Sequence, residues 1–537
     1  MLDAVDLALF AEWFAAGAEE MGTVLQRSSS SPNIKERRDF SCALFDARGG
    51  LLAQAAHIPV HLGAMPGAVE AVARRLRLGE GDVAILNDPY EGGTHLPDLT
   101  LVAALAHRGQ PLFYVASRAH HADVGGAHPG SMGLATDIVQ EGVRIPPTLL
   151  VRGGQDQQQV LELLLANVRT PAERRGDLMA QRASLAVGLR RLGALVERHG
   201  AARVTEAGRA LCAGTERALR GAIRAIPDGS YRAADVLDGD GCGARDVRIA
   251  VRLTVRRDTA RLDFTGSSPQ VAGPFNATAA VVRSASVYAF RCLLPAGVPE
   301  NDGLFRPIEI VAPEGTVVNA RFPAAVAAGN VETSQRITDV VLRALARALP
   351  GRIPAASAGT MNNLTAGGTD LRTGAGFAYY ETLGGGAGAG PSGPGASGIQ
   401  VHMTNTRNTP VEALEHAYPL RVREYSLRRG SGGAGRHRGG EGLVREIEVL
   451  VACRVALVSE RRVHGPYGLR GGGPGAVGRN WLVRGGRAHP LPGKAELELL
   501  PGDVLRVESP GGGGWGRPRP AGRTRPRTVH RKGRAVR

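Results

Sequence analysis

The chain is poor in aromatic residues, in cysteine and in long apolar runs. Across 537 residues aromatics make up 4%, and only five cysteines occur. Cys42, Cys212, Cys242, Cys292 and Cys453 are odd in number, far apart and without a CxxC pair. That argues against a disulfide framework and suits small apolar core residues in a reducing compartment, so the cytoplasm is the expected location. No stretch approaches eighteen uninterrupted apolar residues, which argues against a membrane-spanning helix. The opening MLDAVDLALFAEWF carries early acids and no basic n-region, and reads as a helix rather than a signal peptide. A Walker A loop is missing, because Pro492-Gly493-Lys494 lacks both the first glycine spacing and the Ser/Thr. There is no GxSxG elbow either. The chain is therefore assigned no nucleotide site of its own, and no Ser or Cys nucleophile.

What is present is glycine, with 74 residues, on a background of 43% hydrophobic residues. Such a chain buries substantial cores, and glycine interleaved with patterned segments points to tight turns and close backbone contacts. The net charge of +16 is concentrated at one end: residues 516–537 hold nine Arg/Lys and no acid, leaving +7 on the rest. This end reads as a basic disordered tail. No aromatic–basic interleaving or zinc-finger spacing supports a nucleic-acid reader.

Periodicity predicts an α+β chain, mixed and multi-lobed, with helical segments and a glycine-rich, β-rich C-terminal half. Helices are expected over 4–27, 69–76, 284–294 and 332–349, and a long helix or helix pair over 157–224. Strands are expected over 40–45, 82–86, 99–106 and 112–117, the last two joined at Arg108-Gly109. Val247, Ile249, Val251, Leu253 and Val255 alternate with polar residues, and Arg261–Phe264 returns as a hairpin partner. Further strands are expected over 443–451, 454–459 and 504–508, between glycine runs such as TLGGGAGAGPSGPG and SPGGGGWG. These runs adjoin strands and are not read as linkers. The expected regions are 1–225, 226–350, 351–515 and the tail 516–537.

Two segments concentrate the chemistry: Asn87–Asp98, NDPYEGGTHLPD, and Ser117–Gly126, SRAHHADVGG. They flank the expected hairpin, which brings His95 and Asp98 toward His120, His121 and Asp123. Neutral imidazole plus carboxylate suits a borderline divalent metal, and three protein ligands with an open position suit a catalytic one. In a strand His120 and His121 face opposite ways, with Asp123 on the side of His121, so pattern alone does not choose between the two histidines. Pro59 argues against a regular helix in the His57/His61 pair, which fits a substrate pocket or a core turn better than a second metal site.

The strings SPNIKERRDFSCALFDARGGLLAQAAHIPVHLGAMPGAV (31–69), GDVAILNDPYEGGTHLPDLTLV (81–102), SRAHHADVGGAHPGSM (117–132), GNVETSQRITD (329–339), YYETLGGGAGA (379–389) and HMTNTRNTPVEALEHAYPLRV (402–422) resemble the hydantoinase B/5-oxoprolinase family. With GTMNNLTAGG (359–368) and the closing SPGGGGWG (509–516), the resemblance spans about 3–516. It implies a B-type subunit of an ATP-dependent hydrolase of cyclic amides such as 5-oxoproline or hydantoins. ATP would be handled by an A-type partner with an actin-like ATPase. The related acetone carboxylase alpha subunit holds manganese with His, Asp and His, and carried over those ligands fall on His95, Asp98 and His120. The ion would be manganese or zinc. The resemblance then leaves His121 and Asp123 to orient a ligand or to transfer protons; Asp39, His57, His61, Asn87 and Asp88 are candidate substrate-binding groups, with Asp39, Asn87 and Asp88 also read as supporting polar groups. The alternatives are a subunit of an ATP-dependent ketone carboxylase and a non-catalytic scaffold for the ATPase.

Overall fold

The computed structural model describes residues 2–55 and 57–518. The first helix, Ala4–Ser28, starts where Asp3 can cap it. The Asp3 side chain accepts from the Asp6 N–H, and the Asp6 carboxylate accepts from the Asp3 N–H. Phe10, Phe14, Ala18, Met21 and Leu25 line its buried face.

That face lies on a seven-stranded antiparallel sheet of order β2-β1-β5-β4-β3-β6-β7. Its strands are β1 Phe40–Asp46, β2 Leu51–Gln54, β3 Val83–Leu86, β4 Asp98–His107, β5 Gln110–His120, β6 Thr148–Arg152 and β7 Gln155–Asp156. Strand alternation divides the side chains between two cores. Cys42, Leu44, Leu101, Ala103, Phe113 and Val115 pack with the helices Ala4–Ser28 and Pro171–His199. Ala43, Phe45, Val102, Ala104, Tyr114 and Ala116 pack with Met65–Arg75, Ala279–Arg291 and Ser334–Ala348.

The span 157–224 holds three helices, Gln158–Ala166, Pro171–His199 and Ala201–Arg224. Pro171 takes a first-turn position, where its missing N–H costs nothing, and Gly200 at φ 82° separates the other two. A second sheet follows in the order β11-β10-β9-β8, built from β8 Gly229–Gly239, β9 Arg245–Arg256, β10 Thr259–Asp263 and β11 Ile308–Val311. As expected, β10 returns antiparallel on β9. The alternating Val247–Val255 row shares one apolar core with Phe45 and Val69, so that core runs across the expected boundary at 225/226. The expected helix over 332–349 is preceded by a π-helical turn, Gly329–Thr333, leading into Ser334–Ala348.

Beyond 351 the chain is β-rich. One sheet comprises β12 Asn363–Asp370, β13 Ala375–Glu381, β16 Cys453–Val458 and β19 Lys494–Leu499. The other comprises β14 Leu420–Arg428, β15 Gly442–Val449, β17 Arg479–Arg484, β18 Arg487–Leu491 and β20 Val504–Glu508. The molecule is α+β. Its glycine runs are not open loops. They lie backbone against backbone, bonded by Gly386 N–H to Pro510 O, Gly440 N–H to Ala387 O, Gly512 N–H to Gly440 O and Gly514 N–H to Gly473 O, all 2.8–3.0 Å. A Cβ at Gly386, Gly440, Gly512 or Gly514 would overlap a neighbouring carbonyl. Of the expected disordered tail, 519–537 lie outside the described residues.

Candidate metal centre

The β4–β5 hairpin is longer than its apolar residues suggest, and the added rungs make the site. Register pairs Asp98 with His120 and Thr100 with Arg118, on the same sheet face as Val102 and Ala116. Directly opposed residues on an antiparallel pair put their side chains in contact. The backbone of His120 is held further by Asn33, whose Nδ2 donates to its carbonyl (2.6 Å), and by Asp39, whose carbonyl accepts its N–H (3.0 Å).

His95 arrives from the loop before β4. That loop is folded tightly because Gly92 adopts φ 93° and a Cβ on Gly93 would stand 2.5 Å from the Asn87 carbonyl. Asn87 ties the loop down. Its Nδ2 donates to Leu96 O (2.8 Å) and Val143 O (2.9 Å), and its Oδ1 accepts from Ile145 N–H (2.7 Å). Asp88 accepts from Tyr90 N–H (2.9 Å) and pairs with Arg144 (3.0 Å). Both side chains brace the loop, the supporting role expected of Asn87 and Asp88 beside substrate binding.

His95, Asp98 and His120 converge, with potential ligand atoms all within 4.8 Å of one another and every side chain buried. His95 Nδ1 lies 3.1 Å from Asp98 Oδ2, and His120 Nδ1 lies 3.6 Å from Asp98 Oδ1. Thr94 Oγ1 donates to Asp98 Oδ2 (2.6 Å), and His61 Nε2 stands 3.1 Å from the same oxygen. Ser41 Oγ is 2.8 Å from His61 Nδ1 and accepts from Ile58 N–H at 3.2 Å. Ser41 and Asp98 therefore flank the two ring nitrogens of His61. His61 thus enters the site through Asp98. His57 does not: its Nδ1 accepts from Cys42 N–H (3.1 Å) and its ring packs edge-on against Phe40. Burial, reinforced by the charge of His61, pulls His57 down to about 3, and it acts as a core turn. The Asp39 side chain is largely buried and lies 4.0 Å from Arg37.

Electrostatics favour a cation at this point. Burial alone would raise the Asp98 carboxyl. The charges of His95 and His61, with hydrogen bonds from His120 and His61, outweigh burial and hold it well below the usual carboxylate range. Burial lowers His120 against the partial support of Asp98, leaving a neutral imidazole with a free lone pair. Asp98 Oδ1 and His120 Nε2 are buried without hydrogen-bond partners. Two imidazoles beside an ionised carboxylate, with orphaned polar atoms on Asp98 and His120, fit a divalent ion.

His121 and Asp123 lie elsewhere, a correction to their expected proton-transfer role. The strand ends at His120, and His121 Nε2 meets Gln181 Oε1 at 3.0 Å. Gln181 belongs to the Pro171–His199 helix on the opposite sheet face. Burial, then the charge of Arg174, pulls His121 down to about 4. Asp123 is spent on Arg169, accepting its N–H and its guanidinium at 2.7 Å each.

Thr94 and Ser41 escaped the sequence reading, and so did three further residues at or beside the site. Asn330, in the π-helical turn, sets Nδ2 3.5 Å from His95 Nε2. Tyr380 on β13 stacks on His120, with ring centroids 4.3 Å apart and planes 12° from parallel. Arg118 lies fully buried one rung along the hairpin. Asn330 and Tyr380 come from segments more than 200 residues downstream, and no local spacing announces them. Arg118 was visible in SRAHHADVGG but was overshadowed by the histidines.

The hydantoinase B/oxoprolinase family model matches residues 3–518. 5-Oxoprolinase 1 of Arabidopsis thaliana is 41% identical over 96% of this chain and 42% of its own length. The B-type subunit of a putative D-/L-hydantoinase of Pseudomonas sp. (strain NS671) is 32% identical over 93% of this chain and 88% of its own. Among solved structures, the ATP-dependent caprolactamase from Pseudomonas jessenii superposes with a TM-score of 0.90 at 29% identity. That match covers 97% of this chain and 93% of the other. The chain therefore spans less than half of the plant protein but most of the Pseudomonas hydantoinase component.

Proposed function

The chain belongs to the hydantoinase B/oxoprolinase family, and we propose that it is the ring-opening component of an ATP-dependent cyclic amide hydrolase. Its substrates are 5-oxoproline or hydantoin-like rings. The observation that carries this reading is the buried His95–Asp98–His120 cluster with its unpartnered Asp98 Oδ1 and His120 Nε2. The names of two relatives, a 5-oxoprolinase and a caprolactamase, both denote cyclic amides, which supports the substrate class.

A cyclic amide is resonance-stabilised, so opening it calls for activation of the carbonyl. A divalent ion, manganese or zinc, held by His95, Asp98 and His120 would supply Lewis acidity toward that oxygen. The protein's own part is to keep the ligand set ready. Thr94 and His61 occupy Asp98 Oδ2 and leave Oδ1 free, while burial keeps His120 unprotonated and bulk water out. His121 and Asp123 are given no proton-transfer step, because Gln181 and Arg169 engage them. ATP is assigned to an A-type partner with an actin-like ATPase, consistent with the missing Walker loop and with the extra length of the plant relative.

The test is co-purification with the A-type partner, followed by ATP hydrolysis in the presence of 5-oxoproline, hydantoin or acetone. Stimulation by a cyclic amide is the expected outcome. Stimulation by acetone alone would favour a ketone carboxylase, and none in a metal-loaded complex would sink the reading. His95→Ala should lose bound metal and substrate-dependent turnover together, whereas a non-catalytic scaffold would keep both.

A further inference from the structure

Among the described residues six arginines are fully buried: Arg37, Arg118, Arg174, Arg336, Arg445 and Arg461. Five have a carboxylate within 4.0 Å, namely Asp39, Asp177, Glu460, Glu381 and Asp339 respectively. Arg118 alone has none among the described residues. Its Nε donates to Thr100 Oγ1 (2.8 Å) and its Nη2 to Gly92 O (3.2 Å), while Nη1 is buried with no partner. Neutral acceptors satisfy part of the fork, and the carboxylate that supports its charge, Asp98, does so from beyond ion-pair range; a buried charge without a paired carboxylate is costly.

The location of this exception is informative. Thr100↔Arg118 and Asp98↔His120 are neighbouring same-face rungs of one hairpin, about 7 Å apart along the strand. Gly92 belongs to the loop that delivers His95, so the guanidinium bridges the two segments that build the metal centre. A divalent ion and Arg118 would bring three positive charges against the single carboxylate of Asp98, an excess of at least two in this buried site. An anion would offset them.

We propose that Arg118 binds an oxyanion carried by the ligand of this site, so that anionic ligands are taken in preference to neutral cyclic amides. The inference rests on the metal-centre reading above and narrows its substrate class. The oxyanion has two possible sources: a carboxylate on the ring, or a phosphoryl oxygen on an ATP-activated amide. Arginine suits both, because its planar fork meets either group with paired N–H donors.

The full-length chain, loaded with manganese, is titrated calorimetrically with 5-oxoproline, with 2-pyrrolidinone (the same ring without the carboxylate) and with inorganic phosphate. In the wild type 5-oxoproline, phosphate or both should bind at least tenfold more tightly than 2-pyrrolidinone, and which anion wins identifies the source. Arg118→Met should abolish the preference, read as the ratio of anion to 2-pyrrolidinone affinity within each variant. Arg118→Lys, a point charge without the fork, should lose at least threefold in anion affinity and serves if the methionine variant does not fold. A wild type without anion preference, a preference that survives Arg118→Met, or a lysine variant identical to wild type with all three probes would overturn the proposal. Metal content is measured on the same samples. A wild type that takes up no manganese contradicts the metal reading, whereas an anion preference indifferent to Arg118 contradicts only this one.

Discussion

His120 is held from three sides: Asn33 and Asp39 fix its backbone, Asp98 faces it across the hairpin, and Tyr380 covers its ring. Tyr380 is itself fixed, since its hydroxyl donates to Asn363 Oδ1 (2.9 Å) and Arg37 lies over its ring at 4.9 Å. Removing such an orienting partner typically costs about 10–100-fold in metal affinity. Tyr380→Leu is expected to weaken manganese binding by about that factor, and Tyr380→Phe, which keeps the stack, by much less. Competition with a chelator of known affinity reads both. A second residue prediction concerns pH. Glu141 is fully buried with Oε1 accepting from Val326 and Ala327 N–H, and burial pushes its carboxyl up to about 8 from 4.5. A raised carboxyl binds its proton more tightly in the folded state. Its stabilisation is therefore complete below pH 4.5 and lost as pH rises through about 8. Glu141→Gln should melt close to wild type at pH 5 and higher than it at pH 9, by on the order of 1–3 kcal/mol. Thermal melts at the two pH values decide it.

At the scale of elements, legibility followed the range of the determining contacts. The Ala4–Ser28 helix and the Val247–Val255 strand were readable, because their patterns reflect burial of one face of their own element. The β4–β5 hairpin was readable as a hairpin but not to its ends. Asp98, Thr100, Arg118 and His120 are polar yet sit inside it, Arg118 donating to Thr100 Oγ1 across one rung and Asp98 facing His120 across another. The same cause concealed the true neighbours of the site. Alternation separated His120 from His121, but only the long-range fold could bring His61 to Asp98 or Asn330 to His95. The glycine segments were recognised as ordered, but how they pack against one another has no local signature. Gly512→Ala places a Cβ on the Ala387 carbonyl, where backbone rather than a flexible side chain must yield. It is expected to destabilise by at least about 3 kcal/mol or to leave the chain insoluble, whereas Gly266→Ala, with open space around it, should stay soluble. Soluble yield and urea midpoint distinguish the two.

For the whole molecule, the metal centre belongs to no single expected region. All three candidate ligands precede 225, but Asn330 and Tyr380 come from beyond it, and one apolar core extends from Ala43 to Val458. A fragment ending at 225 keeps His95, Asp98 and His120 yet loses the wall behind them. It should aggregate or bind manganese at least about 100-fold more weakly than the full chain, and retention of wild-type affinity would restore the boundary at 225 as a domain edge.

The glycine stack carries a consequence for how this molecule can change over time. Its segments cohere through main-chain hydrogen bonds, with the space between them filled by backbone. Every single-nucleotide change in a glycine codon that alters the residue introduces a Cβ or a stop. At Gly386, Gly440, Gly512 and Gly514 every such Cβ is driven into a neighbouring carbonyl, whereas Gly393, with open space around it, has room for a small one.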